Sequence, residues 1–246
     1  MNDISGKMAV VTGASSGIGK AVAIALARQG VHTALVGRSI ERLEETAEAI
    51  RAIGSTKTVC CPADLAVESE AVKAIKFAAS ELGSLDYLLN CAGVSQREST
   101  ELEKITSSEY HRIMRTNVDS VLYCCREAFP YLKESDGAYI ITILSTAAFS
   151  TGAGGGIYSA SKYAARALHE AMELSCKGSN IKLSAISPGP VNTNIWSHKS
   201  EPVSEKRKEK MLLAENIADI AIFLLTQDPN VHIGNIIVQP WFYTKN

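Results

Sequence analysis

The chain lacks the features that mark membrane, secreted and nucleic-acid-binding proteins. No apolar run approaches the length of a membrane span, and the first residues contain no apolar signal region. The 25 basic residues are balanced by 26 acidic ones, so no excess of charge favours a nucleic acid or an acidic membrane surface as a partner. The sequence therefore predicts neither nucleic-acid nor membrane partners.

Cysteines are few, and they are not arranged as metal ligands or redox pairs. The six lie mostly within apolar segments, at positions 60, 61, 91, 124, 125 and 176. They form no CxxC pair and no zinc-binding pattern. We therefore expect reduced core residues, no metal site and a cytoplasmic location.

The chain also shows no composition break, linker or internal repeat. Its 246 residues are enough for a large buried core and lie within the range of a single α/β domain. We therefore expect one domain covering residues 1–246.

Short β-rich runs alternate with helical patterns along this domain. The predicted strands are 7–11, 33–37, 56–61, 85–90, 138–144, 182–187 and 233–238. The first predicted helix ends near residue 29, and the others cover about 40–53, 68–82, 107–129, 157–176 and 215–225. Several strands are continuously apolar, as in parallel sheets buried on both faces. The predicted fold class is α/β: a Rossmann-like, doubly wound parallel sheet of seven strands with helices on both faces.

Three glycines lie between the first predicted strand and the first helix. Gly13, Gly17 and Gly19 have the spacing G-x-x-x-G-x-G rather than the commoner G-x-G-x-x-G. Glycine permits a tight turn and a close approach of the backbone to a pyrophosphate, and the helix N-terminus supplies free N–H groups. The loop therefore predicts dinucleotide binding, against the alternative of a purely structural turn.

The end of the second predicted strand bears on which dinucleotide is bound. An acidic residue about 20 positions after the loop ordinarily binds the ribose of NAD, but here Gly37 is followed by Arg38. A guanidinium attracts the 2′-phosphate of NADP, and Ser39 and Ser15 could add hydroxyl donors. We therefore predict NADP(H). The alternative is a solvated Arg38 beside a Ser39 that only caps the next helix.

Four polar residues are candidates for chemistry. Tyr158 and Lys162 are four residues apart, which places both on one face of a helix, and a cation near a phenol lowers the phenol's pKa. Ser145 follows the fifth strand at the same sheet edge, and Asn117 interrupts an apolar helical pattern. Each has an ordinary alternative: an exposed lysine on an amphipathic helix, a serine after a strand, and a core amide or bend.

Seven motifs occur along the chain in a recognisable order. They are Thr12-Gly13-Ala14-Ser15-Ser16-Gly17-Ile18-Gly19, Asp64-Leu65, Asn90-Cys91-Ala92-Gly93, Asn117, Ser145, Tyr158-x-x-x-Lys162 and Pro188-Gly189. Over nearly its whole length the chain thereby resembles the short-chain dehydrogenase/reductase family. The resemblance implies an active site made of Asn117, Ser145, Tyr158 and Lys162.

The resemblance also implies a role for each of these residues. Tyr158 would protonate a carbonyl oxygen as hydride arrives from the nicotinamide, or deprotonate an alcohol in the reverse reaction. Ser145 would hold the same oxygen by a hydrogen bond. Lys162 would lower the pKa of Tyr158 and bind the nicotinamide ribose. Asn117 would form a helix kink whose backbone carbonyl holds a water in a proton relay.

The cofactor contacts that the resemblance implies run along the whole sheet edge. Asp64 would contact the adenine amine, Leu65 would flank the ring, and the Pro188-Gly189 turn with Thr193 would hold the nicotinamide carboxamide. The full expected set is Gly13, Ser15, Ser16, Gly17, Ile18, Gly19, Arg38, Ser39, Asp64, Leu65, Asn90, Ala92, Gly93, Tyr158, Lys162, Pro188, Gly189, Val191 and Thr193.

Some segments depart from the family pattern near the site. Cys91 stands where a second asparagine is commoner, and Thr142-Ile143-Leu144-Ser145 replaces Asn-x-Ser-Ser. The glycine-rich residues 152–156 would leave room for a substrate or form a plain flexible turn. A substrate lid is expected over about 192–213, in which Trp196 is either an apolar wall or a packing residue.

Together these features predict an NADP(H)-dependent oxidoreductase acting on a small carbonyl compound or secondary alcohol, of the ketone, aldehyde or 3-hydroxy acid type. The C-terminal segment 232–242 lacks the family's frequent Asp-Gly-Gly turn and resembles the branch that acts on such small molecules. The alternatives are a 3-oxoacyl-thioester reductase and a catalytically idle NADP-binding sensor or scaffold. By resemblance we expect a homodimer or homotetramer.

Overall fold

The computed structural model describes residues 2–97, 102–151, 156–197 and 203–242. Its centre is a parallel sheet whose strands are β1 (Met8–Thr12), β2 (His32–Gly37), β3 (Thr58–Pro62), β4 (Tyr87–Asn90), β5 (Ala138–Ile143), β6 (Ile181–Pro188) and β7 (Asn235–Val238). Their order across the sheet is β3-β2-β1-β4-β5-β6-β7, and every neighbouring pair is parallel.

Helices connect the strands. They are α1 (Gly17–Arg28), α2 (Ile40–Arg51), α3 (Glu68–Leu82), α4 (Ser107–Met114), α5 (Ser120–Lys133), α6 (Gly156–Cys176), α7 (Glu205–Lys208) and α8 (Ala214–Leu225). Short 3₁₀ turns cover Leu102–Lys104, Thr146–Ala148 and Asn194–Trp196.

The helices pack against both faces of the sheet. Leu26 of α1 and Leu224 of α8 belong to the apolar core on one face. Ile75 of α3 and Cys125 of α5 belong to the core on the other face, where Leu168 of α6 packs against them. The predicted fold class, a doubly wound parallel sheet of seven strands, is therefore confirmed.

The strand order places the site. β1 pairs with β2 on one side and with β4 on the other, so the direction of winding reverses between β1 and β4. In such sheets, ligands bind in the crevice at the carboxyl ends of the strands where this reversal occurs. Thr12 ends β1 and Asn90 ends β4, so both lie at this crevice.

One predicted helix, over 107–129, is interrupted in the structure. α4 ends at Met114, and a π-helical turn covering Arg115–Asp119 separates it from α5. Two hydroxyls bond the backbone one turn back: Thr116 Oγ1 donates to the Arg112 carbonyl at 2.8 Å and Ser120 Oγ to the Thr116 carbonyl at 2.6 Å. Such bonds compete with the regular ladder and bend helices. Asn117 therefore lies in a π-helical turn rather than in a continuous α-helix.

In the part of the chain that the structure describes, no helix has the length and apolarity needed to cross a membrane. Within the same residues, no group of three His, Cys, Asp or Glu side chains is placed to hold a metal ion. All six cysteines are free thiols, and four of them are buried.

Candidate active site

The turn from β1 to α1 forms a cradle that only glycine permits. Gly13 has φ 66°, and a Cβ on it would lie 2.9 Å from the Cα of Ala92 in the loop after β4. A Cβ on Gly19 would lie 2.3 Å from the carbonyl oxygen of Gly13. Real Cβ atoms do not approach so closely, so the first residue fixes the turn and the second fixes the packing of α1 against it.

The cradle opens onto a cleft of about 760 Å³ at the carboxyl edge of the sheet. Ser16 is the N-cap of α1 but makes no side-chain cap bond, so the first N–H groups of the helix face this cleft without a side-chain partner. Many of the expected cofactor residues line it: Gly13, Ser15, Ser16, Gly17, Ile18, Gly19, Arg38, Asp64, Leu65, Ala92, Gly93 and Thr193.

At the end of β2 the two expected polar residues differ in their surroundings. Arg38 is exposed and lines the cleft. Ser39 caps α2, because its Oγ accepts from the Arg42 N–H at 3.3 Å and donates to Glu41 at 2.8 Å. The hydroxyl of Ser39 is therefore committed to the helix, as the capping alternative anticipated. Arg42 also lines the cleft; it was missed, although its position one helical turn after Arg38 was a usable signal.

Thr12 ties the loop after β4 to β1. Its Oγ1 accepts hydrogen bonds from the backbone N–H groups of Cys91 at 3.0 Å and Ala92 at 3.1 Å. Asn90 is buried, and its side-chain amide donates to Cys125 Sγ at 3.3 Å. Asn90 therefore supports the loop from beneath the cleft, while Ala92 and Gly93 form part of its wall.

Asn117 joins three elements from the π-helical turn. Its Oδ1 accepts from the Val94 N–H at 2.8 Å, and its Nδ2 donates to the Val94 carbonyl at 3.0 Å. The same Nδ2 donates to Ser161 Oγ on α6 at 2.9 Å. The side chain is 1% exposed. It therefore holds the loop after β4 against the helix that carries Tyr158 and Lys162.

Lys162 is a buried cation. Its residue exposure is 5%, and its Nζ donates to the carbonyl of Ile143 at 3.0 Å. Burial lowers the pKa of Lys162 from 10.5 to about 8, opposed by the nearby Cys91 thiol. Nζ lies 5.9 Å from the centre of the Tyr158 ring. The two side chains are therefore neighbours on one helix face, as their spacing predicts.

The pKa of Tyr158 differs from the expectation. Burial raises it above the ordinary 10, and a hydrogen bond with the Ser145 side chain only partly offsets that rise. The lysine was expected to lower this pKa, but the loss of solvation is the largest influence here, and the contact that opposes it is with Ser145 rather than with Lys162, whose ammonium bonds Ile143. Tyr158 is therefore held in its protonated form at neutral pH.

Ser145 is fixed beside Tyr158 by a local turn. It is the N-cap of the 3₁₀ turn Thr146–Ala148, and its Oγ accepts from the Ala147 N–H at 3.1 Å. Because one lone pair of Oγ is used in this way, the hydroxyl hydrogen stays available for an oxygen lying between Ser145 and Tyr158. The three side chains Ser145, Tyr158 and Lys162 thus form one constellation.

Gly93 connects this constellation to the cleft. It lines the cleft wall, and a Cβ on it would lie 3.4 Å from Asn117 Oδ1 and 3.6 Å from Lys162 Nζ. Ser145, Tyr158 and Lys162 are not themselves among the described residues that line the cleft, so Gly93 lies between the ammonium and the cleft.

The segment after β6 closes the other end of the cleft. Thr193 Oγ1 accepts from the Ile195 N–H at 3.4 Å, and a Cβ on Gly17 would lie 3.1 Å from the Thr193 Cβ. Gly189 N–H donates to the Val238 carbonyl at 2.7 Å, which fixes the Pro188-Gly189 turn against β7. Val191 is buried and does not line the cleft.

The structure bears on the prediction for Trp196, but only in part on those for the glycine-rich loop and the lid. The indole of Trp196 donates to the Val191 carbonyl at 2.7 Å, which favours the packing alternative over a bare apolar wall. The glycine-rich loop is described only at Gly156, so its predicted roles lie outside the described residues. The same holds for positions 198–202 of the expected lid.

A basic face formed by α4 and the start of the π-helical turn also lines the cleft, and the sequence did not lead us to predict it. The residues are Ser108, His111, Arg112, Arg115 and Thr116, joined by Arg97 from the loop after β4. Arg112 is paired with Glu109 at 2.7 Å. The spacing of three and four residues was a usable signal for one helix face. Which way that face points depends on the placement of α4 beside the π-helical turn.

The family model described as short chain dehydrogenase matches residues 7–204. A glycine betaine reductase of Emericella nidulans is 33% identical over 242 residues, which are 96% of this chain but 19% of that protein. This chain thus spans about a fifth of the length of that relative. An uncharacterized oxidoreductase of Staphylococcus epidermidis is 31% identical over 240 residues, 98% of this chain and 100% of that protein.

Solved structures resemble the fold over its full extent. The alcohol dehydrogenase of the archaeon Thermococcus sibiricus, complexed with 5-hydroxy-NADP, superposes with a TM-score of 0.88 at 26% identity. The match covers 98% of this chain and 99% of that one. The two proteins therefore share one architecture from end to end.

Proposed function

Because the chain belongs to the short-chain dehydrogenase family, we propose that it is an NADP(H)-dependent oxidoreductase acting on a small carbonyl compound or secondary alcohol. The observation that carries this proposal is the constellation of Ser145, Tyr158 and Lys162, which lies behind the cleft wall at Gly93. A group that can move a proton thus lies next to a cradle that can bind a dinucleotide.

The residues present fit NADP(H). The cradle at Gly13 and Gly19 leaves room for phosphates beside the N-terminus of α1, and Arg38 with Arg42 supplies positive charge beyond β2. Among the described residues that line the cleft, the carboxylate belongs to Asp64. It follows β3, whereas the acidic residue that binds the ribose of NAD ordinarily follows β2. When bound, the cofactor supplies or accepts the hydride. The complex of the Thermococcus sibiricus enzyme with 5-hydroxy-NADP supports this choice.

Tyr158 is proposed as the general acid and base. Its raised pKa keeps the phenol protonated at neutral pH, so it can donate a proton to the oxygen of a carbonyl substrate. Ser145 donates a hydrogen bond to the same oxygen and stabilises the negative charge that develops there. Lys162 carries its charge below about pH 8 and stabilises the phenolate left behind. Asn117 holds these groups together through Val94 and Ser161.

Two further properties are proposed. Leu122 on α5 and Tyr163 on α6 are large side chains with exposures of 40% and 43%, and they favour a homo-oligomer formed across this helical layer. The free, mostly buried cysteines favour a reducing, cytoplasmic location. Size-exclusion chromatography with light scattering would test the oligomer, and a monomer at micromolar concentration would contradict it.

The variant Tyr158→Phe tests the catalytic assignment. It should bind NADPH with unchanged affinity, because only the transferable proton is lost. The kcat/KM for reduction of a carbonyl substrate should fall about 10²–10⁴-fold. NADPH oxidation against a panel of ketones, aldehydes and oxo acids gives the rate, and fluorescence titration gives the affinity.

Tyr163→Phe is the matched control, because Tyr163 lies on the same helix with its ring 43% exposed. It should keep wild-type turnover. Substantial turnover by Tyr158→Phe with any good substrate would contradict the acid/base assignment. Strict inactivity of the wild type despite tight NADPH binding would instead support the idle sensor.

A further inference from the structure

His169 is a buried titratable side chain that the proposed chemistry does not use. It lies on α6, seven residues after Lys162, and is 1% exposed. Its Nδ1 is 3.1 Å from Oγ1 of Thr142 on β5. Its Nε2 is buried and finds no hydrogen-bond partner among the residues that the structure describes.

Packing alone does not account for a histidine at this position. A buried polar nitrogen without a partner is unfavourable, and an apolar side chain of similar volume would fill the space without that penalty. Burial lowers the pKa of His169 to about 4, so the ring is neutral at neutral pH. Among the residues that the structure describes, an apolar side chain at this position would lack one hydrogen bond that His169 makes, the bond to Thr142.

This bond is one of two that join α6 to the end of β5. Thr142 immediately precedes Ile143, whose carbonyl accepts from Lys162 Nζ at 3.0 Å. The two contacts are adjacent on the strand but seven residues apart on the helix, which is about 10 Å along its axis. Other bonds also hold α6, such as the one from Asn117 to Ser161. The two bonds to β5 are those that fix the helix directly against this strand, at two separated points.

The reacting groups depend on that position. Tyr158 lies one turn before Lys162 on α6, and its phenol interacts with the side chain of Ser145, which follows Thr142 by three residues. Sliding of α6 along β5 would therefore change the separation of the phenol and the Ser145 hydroxyl. A misplacement of about 1 Å can lower a rate about 100-fold.

We propose that His169 is a positioning residue: its hydrogen bond to Thr142 sets the placement of α6 against β5 and thereby holds Tyr158 and Lys162 beside Ser145. The inference rests on the proposed oxidoreductase function. Nδ1 carries the proton and donates it to Thr142 Oγ1. In this tautomer the unpartnered Nε2 is an acceptor, which proteins bury more readily than an N–H without a partner.

Three variants test the proposal by steady-state kinetics. His169→Phe places a somewhat larger apolar ring at the same position and removes the bond, and kcat should fall about 10-fold or more, with the KM and Kd for NADPH within twofold of wild type. His169→Asn places an amide nitrogen where Nδ1 lies, so it should restore kcat to within about threefold of wild type. Thr142→Val removes the same bond from the strand side, and its kcat should fall as much as that of His169→Phe. It therefore tests the bond even if His169→Phe folds poorly.

Tyr139→Phe is the control for a general loss of stability. It removes another buried hydrogen bond of β5, from Tyr139 to Ser184 Oγ at 2.7 Å, on the opposite face of the sheet. Its kcat should stay within twofold of wild type, whatever its melting temperature. The proposal is overturned if His169→Phe keeps wild-type kcat, if His169→Asn is no better than His169→Phe, or if Tyr139→Phe is equally slow.

A measurement without substrate separates this inference from the proposed function. The ¹⁵N NMR shifts of the His169 ring, assigned by their loss in His169→Asn, should show a protonated Nδ1 and an unprotonated Nε2 in the wild-type enzyme. A protonated Nε2 overturns the proposal. A wild type that binds NADPH but turns over no carbonyl or alcohol counts against the proposed function, while the tautomer still decides whether the bond to Thr142 is made as described.

Discussion

Replacing Lys162 by Met should stabilise the fold while removing its chemistry. The side chain is almost fully buried, and its pKa falls from 10.5 to about 8 because burial penalises the charged form. A pKa difference of this size corresponds to about 3 kcal/mol at pH 7. Methionine has a similar length and no charge, so it removes that cost.

The net gain is smaller, because the variant also loses a hydrogen bond. Lys162 Nζ donates to the Ile143 carbonyl at 3.0 Å, and a lost bond of this kind costs about 1–2 kcal/mol. We therefore expect a net stabilisation of about 1–2 kcal/mol at pH 7, or a rise in Tm of about 2–8 °C for a domain of this size.

The sign of the pH dependence identifies the cause. The folded chain binds the Lys162 proton less tightly than the unfolded chain does. Between about pH 8 and 10.5 the unfolded state therefore carries more protons, and the stability of the wild type rises with pH. The Lys162→Met variant lacks this rise. Its advantage over the wild type should therefore shrink by about 2 kcal/mol between pH 7 and pH 9.5.

Urea unfolding of both proteins at the two pH values measures this difference, and NADPH oxidation measures the expected loss of turnover. Lys177→Met, at an exposed lysine just after α6, is the matched control for the same substitution outside the core. The reasoning is refuted if Lys162→Met is less stable than the wild type at pH 7, or if the gap is the same at pH 9.5.

Two further substitutions probe the cofactor and the substrate oxygen. Arg38→Asp should weaken NADPH binding about 10–150-fold and favour NADH, because a charge-assisted bond of about 1.5–3 kcal/mol becomes a repulsion; titration with both cofactors checks this, and an unchanged preference for NADPH would contradict it. Ser145→Ala should lower kcat about 10²–10³-fold with the NADPH Kd within twofold, because its hydroxyl acts on the reacting oxygen; a loss confined to cofactor affinity would sink that role.

The fold could be predicted because its signals are local. The six-residue strand β5 is buried at every position, and a continuous apolar run is what a strand covered on both faces requires. The positive φ of Gly13 and the crowded Cβ position of Gly19 are likewise properties that only glycine satisfies. The alternation of such runs with helical patterns was enough to predict the sheet.

What the sequence did not predict depends on neighbours brought together by the fold. The pKa of Tyr158 is set mainly by its burial, and the spacing of Tyr158 and Lys162 says nothing about burial. Arg42 and Arg115 reach the cleft because of where α2 and the π-helical turn are placed. Whether Ser39 binds the cofactor or caps α2 depends on the hydrogen bonds that its hydroxyl makes with Glu41 and Arg42.

Two buried groups that are energetically unfavourable lie on one helix, α6. They are the charged side chain of Lys162 and the unpartnered Nε2 of His169. Each position would be more stable with an apolar side chain. Both lie on the helix that also carries Tyr158. Proteins keep destabilising groups where function requires them, so their convergence is an argument, independent of sequence motifs, that α6 carries the chemistry.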